Sequence, residues 1–204
     1  MSSLKTVDRG APVLRALEYA LLITATICLS WYAWRMFEVD RGQSRAVAEI
    51  QDALRAPASA NESGRDIAPA IPPIGGVIGQ LEIPRLHLSA PVKSGENNDV
   101  LDFSVGYLPD TPLPWMPGNS ALAAHRDRLF RPLENIQEGD EINLSTTHGN
   151  LHYRVLKTLI VNPTDVWVLD PIPKVSLTLI TCYPFYYVGH APRRFIVQAE
   201  KAID

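Results

Sequence analysis

From Val77 onward, the sequence breaks into short apolar runs separated by turn residues, and this pattern limits the possible folds. Ile142 and Leu144 alternate with polar residues, and alternation resumes after His148-Gly149-Asn150, which is typical of a β-hairpin. Further strands are predicted at 78–83, 86–92, 119–124, 159–161, 166–169, 175–182 and 194–202. Many short strands at this spacing predict a mainly β fold, a closed or nearly closed barrel.

One or two short helices interrupt the strands. Asn97–Phe103 is predicted to be a short helix. Within Arg128–Ile136, apolar residues recur at i, i+4 and i+7, which predicts one or two helical turns disturbed by Pro132. Pro109–Gly118 contains four prolines and is predicted to be a loop.

The N-terminal part contains one long apolar run. Arg15 and Arg35 bracket 19 residues that are apolar except for Glu18, close to the roughly 20 residues of a membrane-spanning helix. Trp31, Tyr32 and Trp34 lie at its far end, as in an interfacial aromatic belt. We predict a transmembrane anchor at 16–37. A cleavable signal peptide fits less well because no A-x-A site follows, and a buried core helix conflicts with the polar continuation.

The stretch between this run and the strands differs in composition from both. Residues 38–76 are predicted to form a polar helix and then a Pro/Ala-rich tether, so the folded unit spans 77–204. Net charge is −3 with no long basic run, which argues against a nucleic-acid partner. The two cysteines form neither a disulfide framework nor a zinc pattern, and no metal loop or cofactor motif is found.

Cys182 ends a predicted strand and is a candidate nucleophile. Leu177 and Leu179 point to one face of that strand and Cys182 to the other, since side chains alternate, and pairing should stop near Pro184. A structural cysteine is the alternative, because free cysteines are often buried.

A nucleophilic cysteine needs a proton acceptor and a group that stabilises the oxyanion. His125 ends one predicted strand and Arg194 begins another. Phe195 should face the core, and Arg193 shares its face, so Arg194 projects outward with Cys182. His190 is a rival base in the loop between Cys182 and Arg194.

These segments resemble those of a known family. Thr178-Leu179-Ile180-Thr181-Cys182 resembles the TLxTC signature of sortases, the membrane-anchored cysteine transpeptidases of bacteria. Ala123-Ala124-His125 is similar to the segment that carries the family's histidine, and Arg194-Phe195-Ile196-Val197 to its arginine segment. The resemblance covers about residues 77–204 and is closest to class D-like members.

The resemblance implies a function and a set of site residues. Cys182 would cleave an LPxTG-like sorting signal between Thr and Gly, and a thioacyl-enzyme would pass the acyl group to an amine of a cell-wall precursor or a pilin lysine. His125 would be the general acid/base, and Arg194 would stabilise the oxyanion and substrate. Thr181, Tyr183 and His190 are further candidates for substrate binding.

The resemblance also implies where the protein acts. Residues 1–15 would be a cytoplasmic N-terminus, and 77–204 an extracytoplasmic catalytic domain of a single-pass membrane protein, an orientation that the flanking arginines alone do not decide. The rival hypothesis is a membrane-tethered β-barrel that binds a peptide or scaffolds an envelope complex, with Cys182 structural. A hydrolase that passes the acyl group to water is a third hypothesis.

Overall fold

A computed structural model describes residue 15 and residues 17–34 and 71–202. Residues 1–14 of the predicted cytoplasmic segment 1–15, residues 16 and 35–37 of the predicted anchor, and residues 38–70 of the predicted helix and tether lie outside the described residues. Helix α1, Leu17–Trp34, is long and apolar enough to span a membrane by length and composition. Within it the hydroxyls of Thr24 and Thr26 donate to the carbonyls of Ala20 and Leu22, so neither polar group is unpaired.

The rest of the described chain forms a closed eight-stranded barrel, as the sequence predicted. Its strands are β1 Val77–Ile83, β2 Leu88–Ser94, β3 Val105–Tyr107, β4 Gly118–Ala123, β5 Glu141–Thr146, β6 Gly149–Val161, β7 Val175–Tyr183 and β8 Arg193–Lys201. They run β1-β2-β3-β4-β7-β8-β6-β5 around the barrel, and β5 closes it on β1. Only the β2–β3 and β4–β7 pairs are parallel.

The faces of β7 and β8 are those that the alternation predicted. Leu177 and Leu179 on β7 and Val197 on β8 are fully buried in the main core, each burial contributing about 1.5–3 kcal/mol. Ile180 and Ile196 point outward into a second, smaller cluster with Val161, Val168, Leu159 and Leu169. Cys182 lies on this outward face, since it follows Ile180 by two residues.

The prediction of a strand at 166–169 is wrong. Val166–Leu169 is a 3-10 helix in the connection from β6 to β7, and its Val168 covers the outer cluster. A closed barrel leaves no edge to which a ninth strand could pair, so the segment packs on the outside instead. The predicted strand at 159–161 is the end of the 13-residue β6.

The predicted helices are present but short. Helix α2 is Asn98–Leu101, within the predicted 97–103. Arg131–Asn135 is a 3-10 helix with proline in its first turn, where the absent N–H costs no hydrogen bond. Backbone pairing begins slightly before Val77, because Gly75 and Gly76 both bond to Ser94.

Candidate active site

Cys182 stands one residue before the end of β7. Strand β7 ends at Tyr183, directly before Pro184, as the missing N–H predicted. Cys182 is a free cysteine with partial exposure, and its register partner across the β7–β8 ladder is Arg194. Directly paired residues in an antiparallel ladder lie on the same face, so the thiol and the guanidinium leave the sheet on the same side.

His125 reaches this position through the parallel pairing of β4 with β7. The pairing runs from Gly118 opposite Val175 to Ala123 opposite Ile180, and the Ala124 N–H then donates to the Ile180 carbonyl at 3.3 Å. Continuing this register by two residues sets His125 beside Cys182.

A buried threonine fixes the approach of the histidine segment. The Thr181 hydroxyl donates to the Ala124 carbonyl at 2.8 Å, and Thr181 is only 2% exposed. The end of β7 and the residue before His125 are therefore held together by a hydrogen bond on the inner face as well as by the ladder.

The three predicted catalytic residues line one open pocket. Its walls are His125, Arg126, Asp127, Cys182, Gly189, His190, Ala191 and Arg194. The ends of β4 and β7 and the start of β8, whose proximity could not be predicted from the sequence, therefore lie at the same pocket.

Arg194 lies at this pocket with its charge uncompensated. Its Nη1 donates to the carbonyl of Arg193 at 3.1 Å and more weakly to that of Ala191 at 3.4 Å. Among residues 71–202, no carboxylate forms an ion pair with Arg194, so its charge can stabilise an anion in the pocket.

An acidic side chain that the sequence did not single out lies near the histidine. Asp102 Oδ1 is 3.9 Å from His125 Nε2, too far for a hydrogen bond. The same oxygen accepts from Arg128 Nη1 at 2.9 Å, which partly neutralises it. Asp127, two residues after His125, also lines the pocket.

Only one of the three candidates for substrate binding lines the pocket that the structure describes. His190 lines the pocket, whereas Thr181 is buried behind it. The Tyr183 ring stacks on Phe195 with centroids 6.3 Å apart, and the Arg193 guanidinium lies 5.6 Å from the centroid of the Tyr183 ring, so Tyr183 packs beside the barrel core.

Arg126 is a charged pocket residue that the sequence analysis did not predict. It follows His125 directly, and its Nη2 donates to the carbonyls of Tyr187 and Gly189 in the loop from β7 to β8. Its position directly after His125 could have indicated a place in the pocket. Its hydrogen-bond partners lie more than 60 residues away in the sequence, so they could not be predicted. In residues 17–34 and 71–202, no group of three His, Cys, Asp or Glu side chains is arranged to hold a metal ion.

Comparison with known proteins identifies a consistent set of relatives. A family model described as the Sortase domain matches residues 81–202. Sortase D from Bacillus subtilis (strain 168) is 29% identical over 188 residues, covering 88% of this chain and 95% of that protein. Sortase A from Bacillus anthracis is 31% identical over 129 residues, covering 61% of this chain and 59% of that protein.

Solved structures agree with these relatives. A Clostridium perfringens Sortase D5 transpeptidase superposes with a TM-score of 0.67 at 23% identity, covering 79% of this chain and 99% of that one, which supports the fold. The SrtA sortase from Actinomyces oris gives a TM-score of 0.59 at 31% identity, covering 68% of this chain and 88% of that one.

Proposed function

This chain belongs to the sortase family, and on that premise we propose that it cleaves an LPxTG-like sorting signal between Thr and Gly and transfers the acyl group to an amine. Sortases are membrane-anchored transpeptidases that attach proteins to the cell wall or to pilins. The observation that carries the finer proposal is the convergence of Cys182, His125 and Arg194 on one pocket.

The first half of the reaction forms a thioacyl-enzyme. The Cys182 thiolate attacks the Thr carbonyl carbon, the C–S bond forms, and the carbonyl oxygen becomes an oxyanion. When that intermediate collapses, the C–N bond to Gly breaks, and the His125 imidazolium gives its proton to the leaving amine.

The second half resolves the thioester. A neutral amine from a cell-wall precursor or a pilin lysine attacks the carbonyl carbon, and His125, now neutral, takes the proton that the amine loses. The C–S bond then breaks, which regenerates the Cys182 thiolate and the imidazolium. Water in place of the amine gives hydrolysis, which is the competing outcome.

Arg194 is assigned to the oxyanion and to the substrate backbone. Its guanidinium leaves the sheet on the same face as Cys182, and its hydrogen-bond partners among the described residues are backbone carbonyls. A planar cation with several donors suits a charge that develops during the reaction, because it is held in place before the charge appears.

A peptide assay of the full-length protein tests this proposal. Quenched fluorescent peptides carrying Leu-Pro-x-Thr-Gly, with x varied, should be cleaved after Thr, and cleavage should disappear in Cys182→Ala. His125→Ala should lose at least about 100-fold in kcat/KM, in keeping with general acid–base catalysis. Mass spectrometry should find a thioester on Cys182. Wild-type cleavage rates in Cys182→Ala would disprove the proposal.

We also propose that α1 anchors the protein as a single span with the pocket on the extracytoplasmic side. A membrane-impermeant maleimide applied to intact cells should label Cys182 in a Cys28→Ser background. Labelling only after lysis would place the pocket on the cytoplasmic side and contradict this localisation.

A further inference from the structure

The loop from β7 to β8, residues 184–192, forms one wall of the pocket with little backbone pairing of its own. Within residues 71–202, no backbone–backbone hydrogen bond joins this loop to itself or to the barrel. Burial fixes Phe185, at 6% exposed, whereas Tyr186 is 74% and Val188 99% exposed. Segments with so few buried contacts open at low free-energy cost unless side chains hold them.

Arg126 supplies such a contact near the middle of the loop. Its Nη2 donates to the Tyr187 carbonyl at 2.7 Å and to the Gly189 carbonyl at 3.1 Å. The guanidinium also lies 5.9 Å from the centroid of the Tyr187 ring, within the range of a cation–π contact. One side chain thereby links two carbonyls that are two residues apart.

Arg131 supplies a second contact nearer the start of the loop. Its Nη1 donates to the Phe185 carbonyl at 3.1 Å, and its guanidinium lies 3.6 Å from the centre of the Tyr186 ring. Both arginines come from the segment that follows β4, which also carries His125. We call Arg126 and Arg131 the arginine clamp.

Arg126 is the member of the clamp that lies in the pocket itself. It follows His125 in sequence, and Gly189, which it holds, precedes His190. Arg126 therefore ties the wall that carries Gly189 to the wall that carries His125.

We propose that Arg126 is a positioning residue that acts through the loop from β7 to β8. It holds Gly189, His190 and Ala191 as a fixed wall opposite His125, so that the thioacyl-enzyme is met by an oriented amine rather than by bulk water. This inference rests on the proposed function. It adds a residue to which the resemblance assigned no role.

The chemistry of the guanidinium explains why arginine suits this position. It is planar, always charged and presents several donors in a fixed arrangement, so it serves two carbonyls at once. Lysine keeps the charge, but its ammonium is a compact point charge on a flexible stem, which makes it a poor replacement. Glutamine keeps a planar donor without the charge.

The test compares Arg126→Lys, Arg126→Gln and Arg126→Ala in the full-length protein. Each acts on a quenched Leu-Pro-x-Thr-Gly peptide with glycinamide or Nα-acetyl-lysine methylamide as the amine, and mass spectrometry measures the ratio of transfer to hydrolysis. Arg126→Ala should lower that ratio about tenfold, as expected when a reacting group is no longer oriented. Arg126→Lys should keep only part of the wild-type ratio, and the ratio for Arg126→Gln should be close to that for Arg126→Ala.

The matched control is Arg154→Ala, which removes an exposed arginine from β6 whose partner is Glu141. It should leave the ratio unchanged. Limited proteolysis in a Cys182→Ala background provides a readout that needs no turnover, and chymotrypsin should cut after Tyr186 or Tyr187 about tenfold faster when Arg126 is replaced by alanine or glutamine.

The outcomes separate the two proposals. A wild-type protein that cleaves none of the peptides counts against the proposed function. If the wild type is active and the Arg126 variants keep both its ratio of transfer to hydrolysis and its rate of cleavage by chymotrypsin in the loop, the positioning role alone is overturned. An equal drop in Arg154→Ala also overturns it, because the effect would not be specific to the clamp. Should Arg126→Ala fail to fold, the lysine and glutamine variants decide.

Discussion

Two arginines at the same end of the barrel are bonded in opposite ways. Arg85, between β1 and β2, donates through Nε and Nη2 to the two carboxylate oxygens of Asp140 and also to the Asn135 carbonyl at 2.6 Å. Within residues 71–202, Arg194 at the start of β8 bonds to backbone carbonyls and to no carboxylate. The first arginine has its charge matched by a carboxylate, whereas the second keeps its charge for the pocket.

Under the proposed function, this difference separates residues of the rim that hold the barrel together from residues that act on a substrate. Asp140 is 8% exposed, and its carboxylate accepts from two residues, since Oδ2 also accepts the Gln137 N–H at 2.8 Å. The hydrogen bond from Arg85, aided by the Gln137 N–H, holds the pKa of Asp140 below its ordinary value despite burial. A site that must bind an anion needs the reverse, a cation that no carboxylate neutralises.

The largest difference between the two arginines is expected when each is replaced by lysine, which keeps the charge. Arg194→Lys should lower kcat by about 100-fold or more, the usual cost of losing an oxyanion donor, without lowering the melting temperature. Arg85→Lys should lower the melting temperature, because lysine loses the bidentate bond, and should keep the activity of each folded molecule. Peptide cleavage and thermal unfolding of the same samples measure both.

A contrary result for either variant would contradict this comparison. An Arg194→Lys variant with more than a tenth of wild-type kcat would mean that position 194 supplies only charge. An Arg85→Lys variant that loses activity while remaining folded would mean that the Arg85–Asp140 pair also shapes the pocket.

A smaller effect is expected from neutralising the carboxylate. Asp140→Asn should lower the free energy of unfolding by about 1–2 kcal/mol at neutral pH, because charge-assisted hydrogen bonds are weakened in a buried site. The lowered folded-state pKa of Asp140 means that its contribution is complete above the unfolded-state pKa, about 3.9, and is lost as pH falls through the folded value. The difference in the free energy of unfolding between wild type and Asp140→Asn should therefore shrink below about pH 4.

Glu141→Gln is the matched control for this pH effect. Glu141 is adjacent in sequence but exposed, and its Oε1 lies 3.7 Å from Arg154 Nη2. Exposed ion pairs contribute about 0–1 kcal/mol, so denaturant curves of Glu141→Gln should lie close to wild type from pH 3 to 8. A constant difference for Asp140→Asn over that range would show that the Arg85 bond does not set its stability contribution.

The sequence predicted those features of the fold that depend on alternation. The inward faces of Leu177, Leu179 and Val197 follow from the two-residue period of a strand, and so does the outward position of Ile180. The end of β7 before Pro184 follows from the missing N–H. These constraints are local, so they apply whichever segments of the chain pack against the strand.

Features that depend on pairing between distant segments could not be predicted from the pattern. Val-Trp-Val-Leu at 166–169 has strand-like composition, and only closure of the barrel leaves it without an edge and makes it a 3-10 helix. The parallel pairing of Asn119 with Ser176, which delivers His125 to Cys182, has no turn or spacing signal. The bonds from Arg126 to carbonyls of a distant loop have none either.

The smallest effect compares two buried threonines at opposite ends of the barrel. Thr181 donates to the Ala124 carbonyl at 2.8 Å beside the pocket, and Thr146 donates to the Gly149 carbonyl at 2.9 Å in the β5–β6 turn. Valine at position 181 should cost about 1 kcal/mol of unfolding free energy, the typical value of one hydrogen bond. Valine at position 146 should cost about 1–2 kcal/mol, because Thr146 Oγ1 also accepts the His148 N–H at 3.0 Å. Only Thr181→Val should also lower kcat/KM, about threefold, because Ala124 precedes the histidine whose position the reaction needs. Equal kcat/KM in the two variants, measured at a temperature where both are folded, would mean that the β4–β7 ladder alone places His125 and that the threonine bond contributes to stability only.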